Sequence, residues 1–130
     1  DHIYHEHSAE VDGEVVYRMY PGQSVMVGIG FVTEMESPMF YWVAPRSGLA
    51  SKWGITVTNA PGTVDPDYRG EAGVLVYNRN TTTFDLTHKM RIAQIIFQNA
   101  LFPDFVTVDH YGGLVRSGRG AGGFGSTGLT

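Results

Sequence analysis

Residues 24–32 read SVMVGIGFV. Val25, Val27, Ile29 and Phe31 fall at every second position, with smaller or mixed residues between them. A period of two puts one set of side chains on one face of an extended chain, whereas a helix would need apolar residues three and four apart. The same pattern extends outward in both directions. Residues 14–20 (EVVYRMY), 39–44 (MFYWVA), 55–58 (ITVT), 73–79 (GVLVYNR), 82–86 (TTFDL), 91–98 (RIAQIIFQ) and 104–108 (DFVTV) also read as strands. Turn chemistry separates them: Pro21-Gly22, Ser37-Pro38, Pro61-Gly62, Asp65-Pro66, residues 78–80 and Pro103-Asp104. One segment, SGLASKWG at 47–54, reads as a turn or two of helix ended by Gly54. Many short strands with almost no helix predict an all-β fold, a jelly-roll-like β-sandwich or barrel.

Composition narrows what such a fold does. The chain has 130 residues, 42% of them hydrophobic, which suits one domain with a real core. It has no cysteine, so neither a disulfide framework nor a thiolate metal site is available. The formal net charge of −4 argues against a partner held by phosphate neutralisation along its length, so no nucleic acid is expected. No apolar run approaches the ~20 residues that span a bilayer, and no membrane partner is expected. The start, DHIYHEHSAE, is polar and does not read as a signal peptide. Of the 9 basic residues, seven are Arg and two are Lys, which hints at a local anion site, although ordinary surface ion pairs explain the count as well.

Five segments could carry chemistry. In NAPGTVDPDYRGE, residues 59–71, the carboxylates Asp65, Asp67 and Glu71 surround a tyrosine and an arginine, and the turn signals predict a hairpin. The aspartates serve either as turn formers or as a base for a reacting water. In PRSGLA, residues 45–50, Ser47 reads as a helix N-cap, and the same helix start beside Arg46 could bind phosphate. In MRIAQIIF, residues 90–97, Arg91 and Gln94 stand three apart, so one of them should face inward and need a partner. His2, His5 and His7 could meet a metal but stand at a terminus without a frame. The tail RGAGGFGSTGLT, residues 119–130, comes near two phosphate-loop patterns, yet it lacks the lysine and any helix to follow. From Gly112 onward the chain is rich in Gly and Ser and reads alone as a mobile tail.

Taken in order, PRSGLA, NAPGTVDPDYRGE, RIAQ and RGAGGFGSTG closely resemble successive motifs of the trimeric dUTP diphosphatases (dUTPases), over residues 45–128. The resemblance implies a jelly-roll domain at 1–117, a flexible Gly-rich active-site arm at 118–130, and a homotrimer whose active sites are shared between chains. It implies Mg²⁺-assisted hydrolysis of dUTP to dUMP and pyrophosphate, which limits uracil incorporation into DNA, in the cytoplasm or wherever nucleotide pools are used. Asp65 matches the catalytic aspartate that activates water against the α-phosphate. Asn59 and Gly62 match the reader of uracil, and Tyr68 matches the ring beneath the deoxyribose that leaves no room for a 2′-hydroxyl. Arg46, Ser47, Gly48 and Gln94 match phosphate-binding positions. Arg119, Phe124, Gly125, Ser126 and Thr127 match the closing arm, with Phe124 stacking on the base and Arg119, Ser126 and Thr127 holding distal phosphates. The glycines of the tail suit such an arm, since they let backbone approach the triphosphate.

One motif departs. The family's first motif resembles Ala-Gly-x-Asp-Leu, with its aspartate near the metal–phosphate assembly. The match here is SAEVDG, where Ala9 and Asp12 stand in place, but Glu10 replaces the small residue and Gly13 the leucine. This departure keeps an alternative open: a dUTPase-like nucleotide-binding or regulatory protein with weak turnover. The related dCTP deaminases share the fold and a similar turn, followed by a catalytic glutamate. Leu75 falls at that position, and leucine has no acid–base chemistry.

Overall fold

The computed structural model describes residues 8–129. The three histidines at 2, 5 and 7 lie outside the described residues. Among the described residues nine strands form: β1 (Ser8–Val11), β2 (Glu14–Met19), β3 (Ser24–Gly28), β4 (Met39–Pro45), β5 (Ile55–Val57), β6 (Gly62–Val64), β7 (Gly73–Asn78), β8 (Phe84–Leu86) and β9 (Ala93–Asn99). One helix, α1 (Ser47–Trp53), joins β4 to β5, and a single 3-10 turn forms at Tyr111–Gly113. Among the described residues no helix is long and apolar enough to cross a membrane.

The strands make three antiparallel sheets of three, in the orders β1-β2-β8, β3-β7-β5 and β6-β4-β9. Each sheet sends side chains into one core: Met19 and Leu86 from the first, Ile55, Val57, Val74 and Val76 from the second, Tyr41 and Val43 from the third. The alternation at 24–32 holds only in part, since β3 ends at Gly28 and Phe31, expected on the same face, is exposed. Val25, Val27 and Ile29 pack against this core, while Met26 points out. Each fully buried aliphatic side chain contributes about 1.5–3 kcal/mol. The result is the expected all-β, jelly-roll-like arrangement.

Two local devices fix the connections. Asp12 and Gly13 have φ of 53° and 81° and lie between the paired residues Val11 and Glu14. Two positive φ values in a two-residue loop make the type I′ turn whose twist matches a hairpin. Among the described residues Asn78 is the one buried polar side chain, at 0% exposure. Its amide donates to Met19 O (3.2 Å) and Thr82 O (2.9 Å), and its Oδ1 accepts from Asn80 N (3.0 Å). These three bonds tie the β7–β8 loop to β2.

Several expectations need correction. β1 and β6 were not among the strands expected from sequence. Residues 104–108 do not form a strand. Ala100 N still donates to Pro38 O (2.8 Å), but beyond it Phe105 is 93% and Val106 86% exposed, so this segment meets no sheet edge in its own chain. Residues 59–71 do not form a hairpin. β5 pairs with β7 and β6 pairs with β4, so the segment crosses from one sheet to another, through a cis bond at Ala60-Pro61. Ser47 is not the N-cap. The helix starts at Ser47, and the capping position belongs to Arg46, which makes no side-chain cap bond. At the other end the expectation holds: Gly54 caps α1 at φ 66°.

Candidate active site

The corner between β6 and β7 builds a cleft. Met26, Gly28, Thr63, Val64, Asp65, Tyr68, Glu71, Ala72 and Gly73 line a space of about 550 Å³. Asp65 follows directly on β6 and is exposed to it. Tyr68 N donates to Asp65 O (3.3 Å), closing the turn that brings carboxylate and ring to one cleft. Arg69 braces this turn rather than pairing with its neighbouring carboxylates: its guanidinium donates to Pro66 O (2.6 Å).

A second, smaller cavity of about 90 Å³ is lined by Met26, Val43, Asn59, Gly62, Thr63, Val64, Gly73 and Leu75. It shares Met26, Thr63, Val64 and Gly73 with the first, so the two are halves of one recess. Asn59 reaches it because Gly62 has no side chain: a Cβ there would stand 3.2 Å from Asn59 Nδ2. The amide offers both a donor and an acceptor, and the backbone at Gly62 is open beside it. Leu75, where a deaminase would need a carboxylate, adds an apolar wall.

The other expected residues do not line this recess, although Val43 lines both its smaller half and the cavity that holds Arg46 and Gln94. Arg46 and Gln94 line a third cavity of about 350 Å³ with Arg91, Met90 and Ile92, and none of its lining residues belongs to the Asp65 cleft. There Arg46 Nη1 donates to Arg91 O (2.9 Å) and Gln94 Nε2 donates to Pro45 O (2.9 Å), which stitches the start of β9 to the end of β4. Neither Arg91 nor Gln94 is buried. The parity rule fails because Arg91 precedes β9, which begins at Ala93. Ser47 and Gly48 are exposed at the start of α1, and nothing lies within 4 Å of a Cβ placed at Gly48. Asp12 occupies the β1–β2 turn and lines neither the Asp65 recess nor the Arg46 cavity. In the tail, Arg119 folds back to donate to Gly122 O (2.5 Å), and Phe124, Gly125, Ser126 and Thr127 are exposed, away from both cavities.

Several contributors to the recess were not singled out from sequence, Met26 and Thr63 among them. Met26 lines both halves, and its Sδ packs where a Cβ on Gly73 would stand 2.8 Å away. Thr63 also lines both. The outward position of Met26 in an alternating strand is a signal for exposure, but not for the cleft it faces.

Fold and site together define a class: an all-β protein with a carboxylate, a tyrosine and an asparagine amide in one recess, and arginines with a glutamine amide in another cavity. Comparison with known proteins then gives the family. The dUTPase family model matches residues 14–128, and the chain belongs to the dUTPase family. It is 46% identical over 110 residues to the deoxyuridine 5′-triphosphate nucleotidohydrolase of Gloeothece citriformis, covering 85% of this chain and 74% of that protein. It is 42% identical over 121 residues to that of Rhizobium etli, covering 93% and 76%. Among solved structures, a mutant dUTPase of Staphylococcus bacteriophage 80alpha with dUpNHpp superimposes with a TM-score of 0.76 at 17% identity, covering 93% of this chain and 89% of that one. The dUTPase of Streptococcus mutans does so with a TM-score of 0.63 at 24% identity, covering 69% and 75%. These two likenesses bear on the fold.

Proposed function

We propose that this chain hydrolyses dUTP to dUMP and pyrophosphate, as its relatives' names describe for them. One observation carries the reading: Asp65 and Tyr68 open into the same recess as Asn59 and Gly62. A base held by Asn59 and the Gly62 backbone places the sugar over Tyr68 and the α-phosphate beside Asp65. Asp65 takes the proton of the attacking water. The new oxygen–phosphorus bond forms at the α-phosphorus as the bond to pyrophosphate breaks. Catalysis of this kind rests on positioning and charge neutralisation more than on covalent chemistry.

The charge neutralisation comes from Arg46, with Gln94, Ser47 and Gly48 as hydrogen-bond donors. Because their cavity shares no lining residue with the Asp65 cleft and meets the wider recess only at Val43, we read the active site as assembled between copies, in a homotrimer. The arm at 118–130 fits the same reading, with Arg119, Phe124, Gly125, Ser126 and Thr127 acting on a neighbouring copy's site rather than their own. Its exposed Phe124 ring is free to stack on a base. Among the described residues no three His, Asp or Glu side chains converge on a metal-sized point. The described residues therefore offer no three-ligand site of their own. Mg²⁺ is assigned to the substrate, as the Mg–dUTP complex, since Mg²⁺ is commonly held by phosphates and its own waters. A structural Mg(II) ion is described for the phage phi11 dUTPase.

The second reading, a binding protein with weak turnover, has one observation in its favour. The family model begins at residue 14, which leaves SAEVDG outside it and Asp12 in a hairpin turn. A nucleotide panel separates the readings: pyrophosphate release from dUTP, dTTP, dCTP and UTP, with and without Mg²⁺. Release from dUTP alone is expected, and Asp65→Asn should keep nucleotide binding while losing about 10²–10⁴ in turnover. Tight dUTP binding without release would establish the second reading, and ammonia from dCTP a deaminase.

A further inference from the structure

The Asp65 cleft has another polar wall, the Glu71 side chain. The regular ladder between β3 and β7 ends at the pair of Gly28 and Gly73. Past it, Ile29 N donates to Ala72 O (3.0 Å) and Ala72 N donates to Phe31 O (2.8 Å), so one residue opposes a span of three. Gly30 is the extra residue, at φ 80°, and such a bulge leaves an N–H outside the ladder. Glu71 Oε1 accepts that N–H at 3.0 Å. The carboxylate fits there because Gly28 lacks a side chain; a Cβ would stand 2.7 Å from Oε1.

Glu71 is engaged at its other end too. Its main-chain oxygen accepts the Tyr68 hydroxyl at 3.0 Å. The ring lies over Gly70, where any Cβ would collide with the hydroxyl. One residue thus links the bulged edge of β3 to the aromatic floor of the cleft. Arg69, the adjacent cation, donates to main-chain oxygens, so charge pairing does not account for the carboxylate.

We propose that Glu71 is a positioning residue for sugar discrimination. Its carboxylate, anchored on the Gly30 N–H, holds the main-chain oxygen that aims the Tyr68 ring at the 2′ side of the ribose. The proposal rests on the dUTP reading above. Proton transfer at Asp65 does not depend on this anchor, so the effect belongs in selectivity and not in the rate of the chemical step.

The test is steady-state pyrophosphate release by the full chain from dUTP and from UTP, for the wild type, Glu71→Ala, Glu71→Gln and Gly28→Ala. Losing one supporting hydrogen bond should lower the dUTP/UTP ratio of kcat/KM about tenfold in Glu71→Ala, with kcat on dUTP within about threefold of wild type. Glu71→Gln keeps an acceptor oxygen for Gly30 and should restore the ratio to within about threefold of wild type. Gly28→Ala displaces the carboxylate without removing it and should lower the ratio as Glu71→Ala does; it carries the test alone if Glu71→Ala fails to fold. An unchanged ratio in Gly28→Ala, or in a folded Glu71→Ala, overturns the proposal. Equal losses of kcat in the Gln and Ala variants also overturn it, because they would make Glu71 a proton carrier. A wild type inactive on dUTP removes the parent reading instead, and the two failures are thereby distinct.

Discussion

Replacing Asn78 by leucine tests whether one buried amide holds the sheets in register. The two side chains branch alike and leucine is the larger, so the change removes polar contacts without opening a cavity. Three hydrogen bonds disappear: to Met19 O, to Thr82 O and from Asn80 N. At about 1 kcal/mol each, the loss is about 3 kcal/mol before any penalty for the main-chain groups left dry. A folded core of roughly 100 residues has an unfolding entropy of about 0.2 kcal/mol/K, so the melting temperature should fall by about 15 °C. The assay is thermal unfolding followed by circular dichroism at one fixed protein concentration, because association would make Tm concentration-dependent. A fall of less than about 4 °C would refute the reasoning, since it would correspond to under about 1 kcal/mol for all three contacts together.

Other outcomes follow from single contacts. Arg18 and Asp85 face each other across β2 and β8 in a two-pronged pair at 2.7 and 2.9 Å. The hydrogen bonds from Arg18, and then its charge, hold the Asp85 carboxyl below its ordinary range. A lowered carboxyl pKa stabilises the fold above the unfolded-state value, and that stability is lost as pH falls through the folded-state value. Asp85→Asn should therefore melt below wild type at neutral pH, and the gap should close as pH drops below about 4; a gap that persists in acid contradicts this. Tyr41 is fully buried with its ring edge-on to Phe97, and its hydroxyl has no partner among the described residues. Tyr41→Phe should be neutral or up to about 1 kcal/mol more stable in urea unfolding; a loss above that would show a partner the chain does not supply. Lys89 holds φ 62° in a turn closed by Met90 N to Thr87 O. Lys89→Gly should raise stability by about 0.5–1 kcal/mol, and a lower Tm would contradict the assignment of strain there.

The legible parts of the fold were those that a local rule controls. Val25, Val27 and Ile29 show a period of two, and the core takes that face. Gly54 closes a helix because it alone tolerates its φ cheaply. What escaped depends on partners far along the chain. Gly62, Thr63 and Val64 look like the middle of a turn-rich stretch, and only pairing with Tyr41, Trp42 and Val43 makes them a strand. Residues 104–108 have strand chemistry and no edge to join within the chain. For the site, motif order placed Asp65, Tyr68, Asn59 and Gly62, and the structure brings these four to one recess. Motif order could not reveal that Arg46 and Gln94 face a different cavity. Nor could it reveal that Gly28 and Gly70 are empty so that Glu71 and Tyr68 can be full.

The separation of the Asp65 recess from the Arg46 cavity has a genetic meaning. If each site takes its carboxylate from one copy and its arginine from another, two dead alleles can rescue each other. A copy carrying Asp65→Asn still lends a sound arginine, and a copy carrying Arg46→Ala still lends a sound carboxylate. Random mixing of the two in a closed ring leaves about one junction in four with both groups intact. Either allele alone would be inactive, and the mixed population would recover about a quarter of the wild-type rate. Under the same arrangement a copy with one defect disables one junction, so mixtures with wild type lose activity only in proportion, whereas a copy lacking both groups disables two.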